Sequence, residues 1–470
     1  MFLDSLFYDS TGKTTPSLNQ LAINVKKKYK TVVSKQGIAK RYTADAVKYL
    51  QSLIGEALAD QICQTVDTGW LKLFNRVLIK DSTRFDVSEN LAKQLPGSGG
   101  SASKAGVRIQ YEFDIKSGEV TDLTIAPANR QDTTDALATI GSVRAGDLVI
   151  RDLGYSILSC FMAIQKAKAY FLSRLNVKLM VYEMKDSRLV EIDFGQLHRS
   201  MKRLGIQRLD KQVFIGKNEK FPVRLIVELM PDEVVSKRLQ RINARNKKEG
   251  YQTSDSYKDR SNFNLFITNI EESDLEPEVV AKIYKIRWQV ELVFKAWKSI
   301  FGIDSVNPMK YERLICLLNV RLLLILINWS MFMQKRTQQY IKTGKLLSVN
   351  KCFKTLQENS RELRDILTNN GKGLGKWVRM LSELFETHHW LERKKNKIGL
   401  EEIVLLNTLQ SNKYDYIHKK TARRTPHAIS LNINNLKFFG MSKITTKNPV
   451  LQRNGVKNSY IYSLSDTCNY

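Results

Sequence analysis

Cysteine and histidine are scarce in this sequence, and neither has a spacing typical of a metal or disulfide site. The cysteines show no C-x-x-C pair, so neither a zinc site nor a disulfide framework is predicted, and a reducing compartment is expected. The five histidines form no ligand pattern, and no serine or cysteine stands in an arrangement typical of a nucleophile. The scattered cysteines are Cys63, Cys160, Cys316, Cys352 and Cys468.

The sequence also lacks a segment typical of secretion or membrane insertion. Its N-terminus, MFLDSLFYDS, has no basic region followed by an apolar stretch, so no secretory signal is predicted. Residues 314–333 are nearly long enough to span a bilayer, but Asn319, Arg321 and Asn328 interrupt them. An arginine near the membrane centre costs about 2.5 to 3.5 kcal/mol. We therefore predict a buried core helix or a dimer contact here, and no membrane partner.

Acidic residues are few relative to basic ones. Lys and Arg number 75 against 47 Asp and Glu in 470 residues, which gives a formal net charge of +28. This excess predicts binding to a polyanion through phosphate neutralisation and counterion release. Because the cations are spread along the chain and do not form one amphipathic helix beside an apolar anchor, nucleic acid is favoured over a membrane surface.

One stretch, residues 281–300 (AKIYKIRWQVELVFKAWKSI), sorts charged and apolar side chains onto opposite faces of a single predicted helix. Its apolar residues face elsewhere and can pack in a core. Taken alone, the pattern is also typical of a solvated face on an amphipathic helix. At about 100° per residue, the residues that share an arc about 60° wide, or flank it, are Tyr284, Arg287, Trp288, Glu291, Lys295 and Lys298.

The spacing Tyr284-x2-Arg287-x3-Glu291-x6-Lys298 resembles the Y-R-E-K signature of the DDE transposases of bacterial insertion sequences, family four. The resemblance covers residues 71–331 well and the two ends only loosely. In that family the glutamate is the third catalytic carboxylate, and two aspartates at strand ends precede it in the chain.

Two aspartates stand in the expected order before the helix. VLIKD ends at Asp81 and DLVIRD ends at Asp152. A strand-end aspartate is more often a cap or turn residue, so the assignment depends on both aspartates and Glu291 occurring together. The resemblance implies that Asp81, Asp152 and Glu291 are catalytic and hold two Mg²⁺ ions, with Mn²⁺ as a substitute. Two such ions can activate water, stabilise the leaving oxygen and neutralise the phosphate.

Further residues are predicted to contact DNA. Arg287 and Lys298 would neutralise phosphates and Tyr284 would donate to one, as in the family, whereas Trp288 either stacks on an extruded base or packs in the core. A basic segment, VVSKRLQRINARNKKEG, is predicted as a helix that follows a DNA backbone or is simply solvated. The glycine-rich residues 94–106 lack nucleotide-binding spacing and are interpreted as a mobile turn near the active site. The predicted DNA contacts are Tyr284, Arg287, Trp288, Lys295, Lys298, Lys104, Arg238, Arg241 and Arg245.

The order of predicted elements, β-β-β-α-β-α-β closed by the helix at 281–300, matches the RNase H-like fold of the family. This α/β fold has a mixed five-stranded sheet in which the first and fourth strands are neighbours, so Asp81 and Asp152 would meet at their C-terminal ends. The predicted regions are a helical DNA-binding or dimerisation region (1–66), the first part of the catalytic core (67–175), a β-rich insertion domain (176–270), the closing helices of the core (271–335) and a helical C-terminal region with a polar tail (336–470). On sequence alone, an ordinary helical hairpin explains the N-terminal region equally well.

The leading hypothesis is a transposase in the bacterial cytoplasm that binds the inverted repeats at the ends of its own element in double-stranded DNA. It pairs these ends as a homodimer, cuts them and joins them to target DNA. Relatives that cut through a DNA hairpin hold a flipped base with an aromatic of the insertion domain, commonly Trp, but the six Trp here lie outside it. Phe263 or Phe266 would have to substitute. The alternatives are a metal-dependent nuclease that does not join DNA, and a DNA-binding protein that has lost catalysis.

Overall fold

The structure is a computed structural model that describes residues 15–61, 69–99, 103–250, 252–369 and 371–392. The predicted polar tail lies outside the described residues, as do the basic cluster at 418–424 and, apart from Glu392, the one at 392–397. Domain boundaries therefore stay predictions.

The N-terminal region is helical where it is described. Three helices, α1 (Leu18–Tyr29), α2 (Lys35–Ala39) and α3 (Ala44–Ala59), follow one another. Thr43 caps α3 as its sequence indicates, because the Ala46 amide donates to the Thr43 hydroxyl over 3.2 Å. Apolar residues recur at helical spacing after Thr43 in the sequence, which predicts this helix, and the apolar face of α3 is buried in the core.

The catalytic-core prediction corresponds to five strands of one sheet. β1 (Val77–Asp86), β2 (Gly106–Asp114) and β3 (Val120–Pro127) are antiparallel neighbours, and β4 (Leu148–Arg151) and β5 (Tyr170–Arg174) run parallel to β1. Their order across the sheet is β3-β2-β1-β4-β5. The first and fourth strands are therefore neighbours, as expected.

The sheet has ten strands, so the expected five-stranded sheet was too small. β10 (Phe263–Thr268) pairs antiparallel with β5, and β9 (Phe221–Leu229), β8 (Arg208–Ile215), β6 (Val181–Lys185) and β7 (Arg188–Glu191) continue from it. The physical reason is that the outer edge of β5 has free backbone donors and acceptors, which β10 satisfies. The strands themselves were predicted, but sequence patterns do not show which edge each one joins.

Helices cover both faces of the sheet. The short helices α6 (Phe194–Arg203) and α8 (Asp255–Arg260) were not predicted, although Asp193 and Ser254 cap them. The remaining helices in chain order are α4 (Asp132–Ala138), α5 (Leu158–Lys166), α6 (Phe194–Arg203), α7 (Asp232–Glu249), α8 (Asp255–Arg260), α9 (Pro277–Tyr284), α10 (Gln289–Ser299), α11 (Tyr311–Thr343), α12 (Val349–Glu358), α13 (Ser360–Thr368) and α14 (Leu374–His388).

The apolar segment at 314–333 lies inside α11, the longest of these helices. By length and composition α11 could cross a membrane, but 89% of its apolar window is buried inside the protein. Two residues that interrupt the apolar run are satisfied internally: Arg321 donates to the Gly302 carbonyl over 2.7 Å, and Asn319 donates to the Ile315 carbonyl over 2.9 Å. The segment is a core helix, as predicted.

The sheet separates two cores, and this decides which way each polar strand residue points. Ile79, Ile150 and Leu172 belong to the core that also contains α9, α10 and α11. Their sequence neighbours Leu78, Val149 and Phe171 belong to the core on the other face, with α5 and α6. Because side chains alternate along a strand, Asp81 shares the face of Ile79, and Lys80 points to the opposite face.

Candidate active site

Asp81 and Asp152 are brought together by the pairing of β1 with β4. In this parallel pair Lys80 is opposite Arg151, so the two aspartates are the next residues along neighbouring strands. Asp152 immediately follows β4, as predicted, but Asp81 lies inside β1 and does not end it. β1 continues to Asp86 because its other edge stays paired with β2. The two aspartates meet where Asp152 directly follows the short strand β4 and β1 continues past Asp81.

The helix predicted at 281–300 is not one regular helix. It begins at Pro277 with α9, passes through a 3₁₀ segment at Lys285–Trp288, and continues as α10 to Ser299. A 3₁₀ segment turns about 120° per residue, so four such residues add about 80° of rotation relative to a regular α-helix. Tyr284 does not line the cavity described below: its side chain is buried, packs on Phe266 and lies beside Asp152 and Arg287.

The remaining charged residues of the predicted face do line one cavity with both aspartates. The cavity has a volume of about 780 Å³ and lies between the end of β4, the middle of β1 and α10. The residues that line it are Asp81, Ser82, Thr83, Asp152, Arg287, Glu291, Phe294, Lys295, Lys298, Ser299, Asp304 and Ser305.

Arg287 contacts all three predicted catalytic carboxylates. One terminal nitrogen donates to Asp81 Oδ2 over 3.0 Å, the other donates to Glu291 Oε1 over 2.8 Å, and Nε lies 3.7 Å from Asp152 Oδ1. The guanidinium is planar and presents donors on several sides, which lets one side chain reach three acids. Sequence reasoning assigned Arg287 to a DNA phosphate and gave no indication of this contact.

Burial affects the ionisation of two groups in the site. Desolvation raises the pKa of Asp81 to about 6, with Asp152 and Glu291 adding to the rise, while the Ser82 amide and Arg287 oppose it. Desolvation also raises the pKa of Tyr284 to about 12, and the charge of Asp152 contributes. Negative charge is therefore concentrated here, and a cation between the carboxylates stabilises their ionised forms.

The donor set suits a divalent metal ion. In the portion of the chain that the structure describes, no three Asp, Glu, His or Cys side chains are close enough to share one ion as they stand. The three carboxylates nevertheless converge on the Arg287 guanidinium, which is a cation at the centre of the group. Carboxylate oxygens are the ligands that hard divalent ions prefer. The residues fit such an ion provided that Arg287 moves aside.

The other predicted DNA contacts on this helix differ in position. Lys295 and Lys298 line the cavity, and the Lys298 ammonium donates to the Arg84 carbonyl over 3.0 Å. Trp288 is not buried in the core, because 46% of its surface is exposed.

Lys104 is not among the residues that line the cavity, and its ammonium lies 3.6 Å from Glu89. The two ends of its loop are tied by the pairing of Pro96 with Ala105.

The three predicted arginines of the basic helix α7 share one face by their spacing, but their environments differ. Arg238 is half-buried and donates to the carbonyls of Ser261 and Phe263 and to the Asn264 side chain, so it holds the helix on the sheet. Arg245 is exposed but pairs with Glu249 over 3.0 Å. Arg241 is exposed and lines a separate cleft with Arg238.

The suggestion that Phe263 or Phe266 holds a flipped base is wrong. Both are 4% exposed or less, because β10 lies inside the sheet between β5 and β9. Phe263 packs against Phe194 on one face, and Phe266 packs against Tyr284 on the other. Neither ring can accept a DNA base without opening a core.

A buried polar layer lies on the opposite face of the sheet, directly under the aspartates, and sequence reasoning missed it. Lys80, beside Asp81, pairs with Asp122 over 2.7 Å and with Asp135 over 2.6 Å. Arg151, beside Asp152, pairs with Glu112 over 2.8 Å. The signal was visible as a charged residue before each aspartate in VLIKD and DLVIRD, but its partners are distant in sequence.

A second hydrogen-bond network ties the two segments next to the aspartates. Asp132 Oδ1 accepts from Ser82 over 3.0 Å, from Arg108 over 2.7 Å and from Gln110 over 3.1 Å. The Tyr155 hydroxyl donates to Gln110 over 2.5 Å. Ser82 follows Asp81, and Tyr155 ends the 3₁₀ turn that follows Asp152. The network therefore limits how far the two strand segments can move apart.

We expect the Arg151–Glu112 pair to be essential for stability. Glu112→Ala leaves the Arg151 charge buried without its partner, which costs about 3 to 5 kcal/mol of unfolding free energy. Urea unfolding followed by circular dichroism measures the loss. The double variant Glu112→Leu with Arg151→Met removes both charges and should recover most of it. Equal instability of the single and double variants would contradict a paired-charge origin.

Comparison with known proteins agrees with the geometry of the site. The family profile described as "Transposase DDE domain" matches residues 72–327. The transposase of insertion sequence element IS231B from Bacillus thuringiensis subsp. berliner is 30% identical over 383 residues, which cover 77% of this chain and 80% of the relative. The transposase of IS1151 from Clostridium perfringens is 27% identical over 340 residues, covering 69% and 71%.

Among solved structures, the piggyBac transposase synaptic complex with hairpin DNA resembles this chain with a TM-score of 0.39 and 11% identity, covering 86% of this chain and 78% of that one. The sequence matches are the informative ones. The family match spans β1 to α11, and so includes Asp81, Asp152 and the helices that carry Arg287 and Glu291. With a family match over more than half of its length and extended similarity to insertion-sequence transposases, this chain belongs to the DDE transposase family and is a DNA transposase of the insertion-sequence type.

Proposed function

We propose that this transposase binds the terminal inverted repeats of its own insertion sequence, cuts the DNA at the element's ends and joins the freed ends to target DNA. The observation that carries the proposal is the convergence of Asp81, Asp152 and Glu291 on one cation, Arg287, from three separate parts of the chain. Taken with the strand order β3-β2-β1-β4-β5, it supports an RNase H-like catalytic core.

The three carboxylates are the proposed ligands of two Mg²⁺ ions, with Mn²⁺ as a substitute. Bound divalent ions supply an activated nucleophile and neutralise the charge on the reacting phosphate. Asp81 is the most buried of the three, since its side chain is 18% exposed whereas those of Asp152 and Glu291 are 44% and 43% exposed. Asp81 would fix the base of the site, and the two exposed acids would face the DNA.

Arg287, Lys295 and Lys298 are proposed to act on the DNA. All three line the cavity, and DNA phosphates entering it would meet their positive charge. Once Arg287 releases the carboxylates, its guanidinium can bind a phosphate through two parallel hydrogen bonds. Tyr284 is buried beside Asp152 and is better suited to position the site than to donate to DNA.

We further propose that the protein acts as a homodimer in the bacterial cytoplasm. A homodimer would hold the two ends of the element together, and the bacterial cytoplasm gives access to the nucleoid and keeps the cysteines reduced. The three cysteines for which the structure gives an environment, Cys160, Cys316 and Cys352, are free and buried, which is compatible with a reducing compartment. A hairpin route stays part of the proposal without an assigned base-holding aromatic.

One experiment tests the reaction and separates the alternatives. A labelled duplex taken from the DNA that flanks the coding sequence is incubated with the protein and Mg²⁺ or EDTA, and products are separated on denaturing gels. We expect Mg²⁺-dependent cutting that exposes a 3′-hydroxyl, followed by products joined to an unlabelled target. Cutting without joined products would identify a nuclease. Tight binding without cutting would identify a protein that has lost catalysis, and a closed end would identify the hairpin route.

A further inference from the structure

A second cleft lies beside the active site and is lined by arginines from three different elements. Its volume is about 280 Å³. Arg174 ends β5, Arg238 and Arg241 lie on α7, and Arg260 ends α8. Sequence reasoning had singled out only the two arginines of α7, because the other two are isolated in the chain. The fold brings all four together.

None of these four arginines forms an ion pair with a carboxylate of the described residues. Arg260 is 8% exposed, and two other buried arginines do have acidic partners: Arg151 pairs with Glu112, and Arg224 pairs with Asp210. Burial lowers the pKa of Arg238 and of Arg260, and the neighbouring charge of Arg174 contributes for Arg238. Glu191 offsets part of the charge of Arg260, but no carboxylate of the described residues lies within ion-pair distance of either group, and such desolvated cations attract an anion.

The guanidinium groups are held in place by neutral acceptors, which leaves donors for a ligand. Arg238 donates to the Ser261 and Phe263 carbonyls over 3.0 and 2.9 Å and to Asn264 Oδ1 over 2.8 Å. An arginine has five N–H donors, so two of those on Arg238 are not used in these contacts. Arg260 is 8% exposed and donates to backbone carbonyls, and its buried Nε has no partner among the described residues.

The cleft adjoins the active site. Leu153, which follows the catalytic candidate Asp152, forms part of its wall. β4 and β5 pair with Ile150 opposite Leu172, and two further residues along each strand lead to Asp152 and Arg174. The strands therefore place Arg174 beside Asp152 at the same edge of the sheet. A DNA strand that crosses the active site can reach the cleft without leaving the surface.

We propose that this arginine cleft, formed by Arg174, Arg238, Arg241 and Arg260, binds a phosphodiester group of the DNA strand next to the phosphate that is cut. The inference rests on the proposed function, because it takes DNA at the active site as given. The cleft differs from the predicted row along α7, since it includes arginines of β5 and α8 and excludes Arg245. Its role is to fix the position of the DNA strand. A phosphate contact of this kind does not read the base sequence.

Arg241→Ala tests the proposal, with Arg245→Ala as the matched control. Both residues are exposed arginines on α7, but only Arg241 lines the cleft, whereas Arg245 pairs with Glu249. Affinity for a fluorescently labelled duplex carrying the element's end is measured by anisotropy over a range of salt concentrations. We expect Arg241→Ala to weaken binding about tenfold at low salt and to reduce the slope of log K against log salt by about one, with a smaller loss of affinity for Arg245→Ala.

Single uncharged methylphosphonates in the same duplex locate the contact. A methylphosphonate at the phosphate held by the cleft should weaken DNA binding by the wild-type protein. The same methylphosphonate should cause no further loss of affinity in Arg241→Ala. Equal affinities and salt slopes for wild type, Arg241→Ala and Arg245→Ala would overturn the cleft, as would additive losses at every position. Neither result bears on the catalytic proposal, which is judged separately by Mg²⁺-dependent cleavage by the wild type.

Discussion

Asp152→Ala is expected to abolish DNA cleavage and joining while leaving binding of the element's ends nearly intact. The Asp152 side chain is 44% exposed and, among the described residues, accepts no hydrogen bond from the core, so its removal should not unfold the protein. The loss should be on the order of 10³-fold or more, because metal ions in such sites stabilise the transition state by several kcal/mol and each 1.36 kcal/mol is worth about tenfold in rate. Cleavage of a labelled duplex with Mg²⁺ measures the rate.

Asp304→Ala is the matched control for this variant. Asp304 is an acid that lines the same cavity but, among the described residues, makes no ion pair with Arg287. We expect it to cut at a rate within about threefold of wild type, as is usual for a surface change away from special features. Full activity of Asp152→Ala, or equal losses in both variants, would show that Asp152 is not a metal ligand.

Arg287→Ala is expected to separate metal affinity from catalytic rate. In the structure the guanidinium occupies the place where the carboxylates converge, so a metal ion must displace it. Each partly exposed ion pair contributes up to about 1 kcal/mol, and without these contacts the Mg²⁺ concentration for half-maximal activity should fall about tenfold. The maximal rate should fall about 10²-fold or more, because a cation that stabilises the reacting phosphate is lost. A Mg²⁺ titration of the cleavage rate measures both effects.

Two further variants show whether the contacts of Arg287 with the carboxylates cause the change in the Mg²⁺ requirement. Arg287→Lys keeps one positive charge but cannot reach three carboxylates at once, so its metal requirement should lie between those of wild type and Arg287→Ala. Lys295→Ala removes a cation from the same cavity that, in the described structure, contacts none of the three carboxylates, and its metal requirement should not change. An unchanged Mg²⁺ requirement in Arg287→Ala would mean that Arg287 does not compete with the metal.

Local sequence patterns were sufficient for much of the scaffold. Alternating apolar residues indicated the strands, and the Thr43 cap and the apolar spacing after it indicated α3. The segment at 314–333 was predicted to be a core helix or a dimer contact because an arginine within it is costly in a membrane, and most of its apolar window is buried inside the protein. Such features depend on residues that are close together in the chain, so they can be predicted from the sequence.

The angular positions along the signature helix could be predicted only in part. Arg287, Glu291, Lys295 and Lys298 share one cavity because they lie in or after the 3₁₀ segment, where their relative spacing is nearly preserved. Tyr284 lies before it and is buried beside Asp152 and Arg287. Sequence periodicity assumes a constant turn per residue, and nothing in the residues themselves indicated where that assumption fails.

The sequence by itself determined the family, the strong positive charge, the residue types of the candidate site and their order along the chain. Only the tertiary structure decided that the sheet has ten strands, that Arg287 bridges three carboxylates, that Phe263 and Phe266 are buried, and that Arg174 and Arg260 join the arginines of α7. The reason is physical: motifs and periodicities describe neighbours in the chain, whereas strand pairing, charge pairing and burial depend on residues that are far apart in sequence and meet only in the folded protein.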